Sequence, residues 1–158
     1  MLAAQGAKAT FFVCGQQVER HPQIAARIRH EGHALANHTF THPALTELPH
    51  SAALEEVERC QRTIAKLGAG RLFRPTHGLI GLHLFLTLVR RGYRVVFWSQ
   101  DCGDWRPQPE EELAAQLVQR VRGGDIVLFH DDQPNSIRIL ELFLAGAGNK
   151  RFRFAPLP

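Results

Sequence analysis

The chain is poor in cysteine. It has three in 158 residues, Cys14, Cys60 and Cys102, and no Cys-x-x-Cys pair. So small and dispersed a set supplies neither a disulfide framework nor a thiolate zinc site. Cys14 and Cys60 fall on apolar stripes and read as small buried hydrophobes. No apolar run approaches the roughly 20 residues that span a bilayer, so no membrane segment is expected. The opening residues, 1–6, lack the basic-then-apolar layout of a signal peptide. Repeats, linkers and low-complexity stretches are missing too. With 44% apolar and 22% charged residues, the composition is that of a folded globular chain. At this length one domain, residues 1–158, is expected.

Lysine is scarce as well: 16 of the 19 basic residues are arginine, against 15 acidic ones, for a net charge of +4. The arginines (Arg20, Arg27, Arg59, Arg90, Arg120, Arg138) are scattered on helix-like faces among glutamates. No run of five basic residues exists and no stacking-aromatic motif accompanies them, so no nucleic-acid partner is expected.

Histidine, by contrast, is plentiful, with nine residues. The pattern around them alternates strands and helices. Residues 8–14 read as a buried strand closed by Gly15. Pro22 suits the first turn of a helix that Gly32 ends. Residues 33–37 form a second strand. Ser51 is placed as the N-cap of a helix carrying Leu54, Val57, Cys60, Ile64 and Leu67 at helical spacing. Residues 71–74 form a third strand, 82–90 a helix, and 93–99 a fourth strand. Pro109 and three glutamates open a helix running to Arg122, with acids at its positive end. Residues 125–130, 137–144 and 151–155 read as strand, helix and strand. Residues 1–6 resemble the last turn of a helix capped by Gly6. Alternation of this kind means βαβ units and a parallel sheet, because parallel strands need crossover connections.

Polar chemistry falls at the strand ends, where catalytic groups of (β/α) barrels sit. The second strand runs into Asn37-His38-Thr39-Phe40-Thr41-His42-Pro43, and the third into Arg74-Pro75-Thr76-His77-Gly78. Asp101-Cys102-Gly103-Asp104-Trp105 follows the fourth, and the fifth ends in Leu128-Phe129-His130-Asp131. A parallel sheet brings such ends onto one rim. His38 and His42 are four apart, so one helical turn would point both imidazoles the same way. Spacing alone suits two surface histidines beside a turn. Position at a strand end shifts the reading toward a pair of metal ligands, to which a carboxylate is commonly added. Arg74 suits a surface salt bridge or the orientation of a carboxylate. His130, beside a carboxylate partner, would gain pKa and a fixed tautomer, as a general acid requires. His21, His30, His50 and His83 have no acidic partner in register.

These blocks resemble the polysaccharide deacetylases with a NodB homology domain, carbohydrate esterase family four, from about Gly6 to Pro156. Residues 8–15 look like that family's second barrel strand. His38-Thr39-Phe40-Thr41-His42 is similar to its His-Ser/Thr-x-x-His motif. Arg74 to Gly78 resembles its Arg-x-Pro-x-Gly-like block, with Thr76 and His77 where Pro and Tyr are common. Asp101 to Trp105 resembles Asp-x-x-Asp-Trp, and Leu128 to His130 resembles Leu-x-His. The resemblance implies an α/β fold, a distorted (β/α) barrel, and a divalent metal, usually zinc. It implies removal of acetyl groups from an N-acetylated glycan such as an N-acetylglucosamine polymer. By that implication His38 and His42 hold the metal, and the backbone N–H of His77 stabilises the oxyanion. His130 protonates the leaving amine with Asp104 tuning it, Trp105 and Leu128 line the acetyl pocket, and Arg74 orients the base. Members of the family are often extracytoplasmic.

One family block, Thr-Phe-Asp-Asp-Gly-Pro, is absent from the 158 residues. Its first Asp is the family's general base and its second completes the metal shell. Asp131 and Asp132 follow the Leu-x-His block and do not replace it. The expectation is therefore a barrel missing its first strand, truncated at the N-terminus, with weakened metal binding and impaired deacetylation. The alternative is a catalytically inactive sugar-binding remnant of the same fold.

Overall fold

The structure, a computed structural model, describes residues 1–150 and 152–158. They gather into two compact units, Lys8–Phe97 with Ala155–Pro158, and Met1–Ala7 with Trp98–Phe154.

The first of these carries β1 (Thr10–Val13), α1 (Gly15–Arg20), α2 (Pro22–His30) and β2 (Ala34–Asn37). After them come α3 (His50–Ala65), β3 (Leu72–Phe73), α4 (Leu82–Arg90) and β4 (Arg94–Val95). The four strands form one sheet in the order β1-β2-β3-β4, and every pairing is parallel. Each successive strand is reached over a helix, as the alternation of the sequence requires. Helix α2 begins at Pro22 in its first turn, and Gly32 follows its end at φ 79. Helix α1 was not predicted, because Gly15 reads as a stop. Gly15 is there for space: a Cβ at this position would lie 2.6 Å from Cδ2 of Phe40 and 3.0 Å from Cα of Cys60. Helix α3 starts one residue before the expected cap. Pro49 precedes it, and no side chain, Ser51 included, caps its first turn. It buries Ala53, Val57, Cys60 and Ile64 along one face. Val57 packs with Phe73, Leu84, Leu88 and Tyr93, while Cys60 and Ile64 pack with Val18, Leu35 and Phe40. Cys60 is thus buried as expected, and Cys14 only half-buried.

The predicted strand over 93–99 is cut short. Only Arg94 and Val95 join the ladder, because their partner β3 is two residues long. The chain then passes into the other unit. That unit contains a 3-10 turn (Leu2–Gln5) ended by Gly6 at φ 60, then β5 (Gln100–Asp101), α5 (Glu110–Arg120), β6 (Val127–Leu128) and α6 (Ser136–Ala147). Strands β5 and β6 pair in parallel. Leu113, Leu117, Ile139, Phe143 and Ala147 form the core, joined by Ala7 from the first residues. Of the strand expected over 151–155, Arg151 lies outside the described residues and 152–155 form no ladder. The aromatic side chains pack instead, Phe154 edge-on to Phe143 with ring centroids 5.6 Å apart. Among the described residues no helix is long and apolar enough to cross a membrane.

Candidate active site

The first unit presents the histidines on a loop that follows β2. Residues 38–42 are not helical, contrary to the one-turn expectation from their spacing. Thr39 (φ 68) and His42 (φ 66) take left-handed backbone, and side chains fix the fold of the loop. The Oδ1 of Asn37 accepts the Thr39 N–H at 3.0 Å, and Oγ1 of Thr39 accepts the His42 N–H at 3.1 Å. From α3, Glu56 accepts the N–H groups of Phe40 and Thr41 at 3.0 and 2.8 Å, and the Thr41 hydroxyl at 3.0 Å. The first N–H groups of α1, on Gly15 and Gln16, donate to the carbonyls of Thr39 and Phe40. So anchored, the loop brings the His38 and His42 rings to 4.9 Å between centroids.

His38 Nδ1 lies 2.7 Å from the carbonyl oxygen of Arg74. A carbonyl only accepts, so Nδ1 carries the proton and Nε2 keeps its lone pair. Burial pushes the His38 pKa down to about 4, against the opposing pull of that hydrogen bond, so the ring is neutral at pH 7. Arg74 itself is buried rather than on the surface. Its guanidinium lies 4.0 Å over the Phe12 ring and its Nη2 donates to the Phe97 carbonyl at 3.1 Å. Burial lowers its pKa to about 10, which leaves it charged at neutral pH. Its visible service to His38 comes from its main chain. After β3, residues Thr76–Gly78 make a 3-10 turn with His77 at φ 56. The buried Thr76 donates its hydroxyl to the Pro43 carbonyl, and the His77 ring sits 5.1 Å from that of His42.

The other unit holds a second imidazole in a different way. Asp104 is 2% exposed. Its Oδ1 lies 2.8 Å from His130 Nδ1, and its Oδ2 accepts the His130 amide at 2.7 Å and the Ser136 hydroxyl at 2.6 Å. Burial acts to raise the Asp104 pKa, but these hydrogen bonds outweigh it and bring the carboxyl down to about 2. The Asp104 hydrogen bond raises the His130 pKa, partly opposed by burial. The carboxylate thus fixes the ring with a proton on Nδ1. Leu128 is buried in β6 and Trp105 is exposed, with the Arg106 guanidinium 5.1 Å from its ring. Asp101, Cys102 and Asp104 bring ligand atoms within 4.8 Å of one another. They do not suit a cation: Asp104 is committed to His130 and Ser136, Asp101 accepts the Gly103 N–H, and burial pushes the Cys102 thiol up.

Sequence reasoning missed Glu56 and Ser136. Glu56 reads as an acid of the first helical turn, and Ser136 as part of a loop.

Parallel strands ending in paired imidazoles and a carboxylate-held histidine define an α/β protein of hydrolase type. The chain belongs to the polysaccharide deacetylase family, whose pattern matches residues 1–96. It is 29% identical to a chitooligosaccharide deacetylase of Bradyrhizobium sp. (strain ANU 289), over 95% of this chain and 76% of that protein. A peptidoglycan-N-acetylglucosamine deacetylase of Bacillus cereus is 31% identical, over 98% of this chain and 75% of its own length. The crystal structure of the peptidoglycan N-acetylglucosamine deacetylase Bc1960 superposes with a TM-score of 0.93 at 27% identity, covering 99% of this chain and 76% of that one. The α/β fold of the NodB-type deacetylases, expected from the motifs, is the fold of this chain. The family is generally metal-dependent. The donor chemistry at His38 and His42 fits a divalent ion: two imidazoles lie together, and the tautomer of His38 leaves Nε2 able to ligate.

Proposed function

We propose that this chain hydrolyses the N-acetyl group of N-acetylglucosamine-containing oligo- or polysaccharides, with zinc held by His38 and His42. The observation that carries the reading is His38, neutral and locked by the Arg74 carbonyl so that Nε2 is its ligating atom. Bound zinc supplies Lewis-acid polarisation of the amide carbonyl and a water with a pKa of about 7. The backbone N–H of His77 donates to the oxyanion. His130, kept protonated toward neutral pH by Asp104, gives its Nε2 proton to the departing nitrogen as the C–N bond breaks. Trp105 and Leu128 contact the acetyl methyl. Arg74, buried and charged, holds His38 through its carbonyl, and in the family reading its guanidinium would orient the base. Water is consumed, and acetate and a free amine are the products.

The second reading, an inactive saccharide binder of the same fold, draws on one observation. Among the described residues no carboxylate is grouped with His38 and His42 as a set of three ligand atoms within 4.8 Å. Acetate release from N-acetylglucosamine oligomers, with zinc or cobalt loaded, decides between them. Release that disappears in His38→Ala supports deacetylation. Metal bound through His38, sugar bound and no acetate released at high protein concentration establishes the binder.

A further inference from the structure

We infer that the first unit carries a second binding site, a cavity at the foot of its sheet where Arg29, Arg71 and Arg94 take a phosphate group. The inference stands apart from the metal-dependent reading above, because it uses none of the residues of the histidine loop.

Place is the first argument. Strands β2, β3 and β4 begin at Ala34, Leu72 and Arg94. These starts, with the turns that lead into them, surround a cavity of about 350 Å³. That is at the small end of the roughly 300–1,000 Å³ that small-molecule sites occupy. The histidine loop leaves β2 at its other end, roughly 13 Å away along four extended residues. The cavity is therefore a separate place on the same sheet.

Charge is the second argument. Arg29, Arg71 and Arg94 line the cavity, and no aspartate or glutamate does. Elsewhere in the unit arginines find carboxylates: Arg27 pairs with Glu31, Arg62 with Glu55 and Arg91 with Glu58. Among the described residues the three arginines of the cavity form no ion pair. Residues 8–97 carry twelve basic side chains against six acidic ones, so part of the positive charge must go uncompensated within the unit. Of the other acids, Glu56 is spent on the amides of the histidine loop, and Glu19 accepts the Thr63 hydroxyl. Three guanidinium charges around one depression repel each other, and a multivalent anion between them relieves the repulsion.

Local geometry supplies the third. Two of the guanidinium groups are tethered by backbone. Arg29 Nη1 donates to the His33 carbonyl at 3.5 Å, and Arg71 Nη1 to the Arg91 carbonyl at 3.3 Å. Arg71 also lies 5.1 Å from the Tyr93 ring centroid. Each keeps N–H groups to spare, and side chains already held lose less freedom on binding. The backbone between them is bare. A Cβ on Gly70 would meet nothing within 4 Å, and one on Gly68 only Nη2 of Arg29, at 3.4 Å. A guanidinium fork matches a pair of phosphate oxygens. A carboxylate has two oxygens and one charge, whereas a phosphate has enough of both to engage more than one arginine. The ligand class is accordingly a phosphate, free or carried on a small molecule such as a sugar.

The test titrates the metal-free protein with inorganic phosphate and with glucosamine 6-phosphate at constant ionic strength, by calorimetry. Arg71→Gln and Arg94→Gln should each weaken binding ~10-fold or more, the worth of a charge-assisted hydrogen bond. Gly70→Asp, which sets a carboxylate among the arginines, should abolish it. His38→Ala should bind as wild type does. Thermal melting of each variant controls for folding, and all four substitutions should leave it near the wild-type value. Tighter binding of the sugar phosphate supports the site with an ester as its ligand, and equal binding supports it with the free ion. Wild type that takes up neither compound at millimolar concentration would overturn the inference. So would equal affinity in wild type and both Arg→Gln variants, or binding that is lost in His38→Ala, which would move the anion to the histidine loop.

Discussion

Replacing Asp104 by Asn removes the charge at the centre of the second unit while keeping the shape of the side chain. The native carboxylate accepts three hydrogen bonds, from the His130 ring, the His130 amide and the Ser136 hydroxyl. Its pKa falls from 3.8 to about 2 on folding. At about 1.4 kcal/mol per tenfold change, that stabilises the fold by about 2 kcal/mol where the carboxylate is ionised. Asparagine offers one acceptor oxygen and turns the other position into a donor, so at least one of the three donors loses its acceptor. The expected loss at pH 5 is about 2–4 kcal/mol. The sign with pH follows from both partners. A depressed Asp104 contributes in full above 3.8, and its contribution fades as pH falls toward 2. A raised His130 contributes in full below 6.5 and loses its contribution as pH climbs through its folded value. The stability gap between wild type and variant is therefore widest between pH 3.8 and 6.5 and narrows on either side. In the variant the largest cause that raised His130 is gone while burial remains, so His130 titrates lower than in wild type. Urea unfolding at pH 5 and pH 8, with an NMR titration of the His130 ring, measures both effects. A ring that titrates at the same pH in both proteins, or an equal stability loss at the two pH values, would refute the reasoning.

Four further outcomes are expected. His38→Ala lowers zinc content by elemental analysis, whereas His130→Ala retains the metal and slows acetate release; equal zinc in wild type and His38→Ala contradicts the ligand assignment. Glu56→Ala speeds hydrogen exchange of the Phe40 and Thr41 amides and weakens zinc binding about tenfold, as loss of outer support for a ligand does. Gly15→Ala forces a methyl against Phe40 and the backbone of Cys60, lowering stability by about 1–3 kcal/mol in urea unfolding. Leu88→Ala opens a cavity beside Val57, Phe73 and Tyr93 and costs about 2–5 kcal/mol in the same assay, with the melting temperature falling in step.

Helices were legible where punctuation and periodicity agreed. Helix α4 occupies the predicted residues, Leu82–Arg90, and α2 starts at Pro22 as expected. Strands were located but overdrawn. The run 93–99 is apolar because it is partly enclosed, and only two of its residues find ladder partners in β3. Hydrophobic content reports burial, while strand length is decided by the neighbour. Gly15 misled the reading for a related reason: a glycine demanded by a close approach looks the same in sequence as one that ends an element. At the site, His38 and His42 were singled out by their place after a strand together with a spacing of four, although a left-handed loop rather than a helical turn brings their rings together. The pairing of His130 with Asp104 came from the family resemblance, and the structure joins the two directly. Glu56 and the Arg74 carbonyl could not be read, because they act on backbone amides and a ring nitrogen, and such bonds leave no residue pattern.

Two neighbouring positions on α3 grip opposite ends of the histidine loop. Glu56 takes the amides of Phe40 and Thr41, and the carbonyl of Val57 accepts from Nδ2 of Asn37. Val57 also sits at the centre of the core. A slip of α3 by a single residue would release these three bonds together. The placing of His38 and His42 and the interior packing of this unit therefore share one mechanical part, the register of α3.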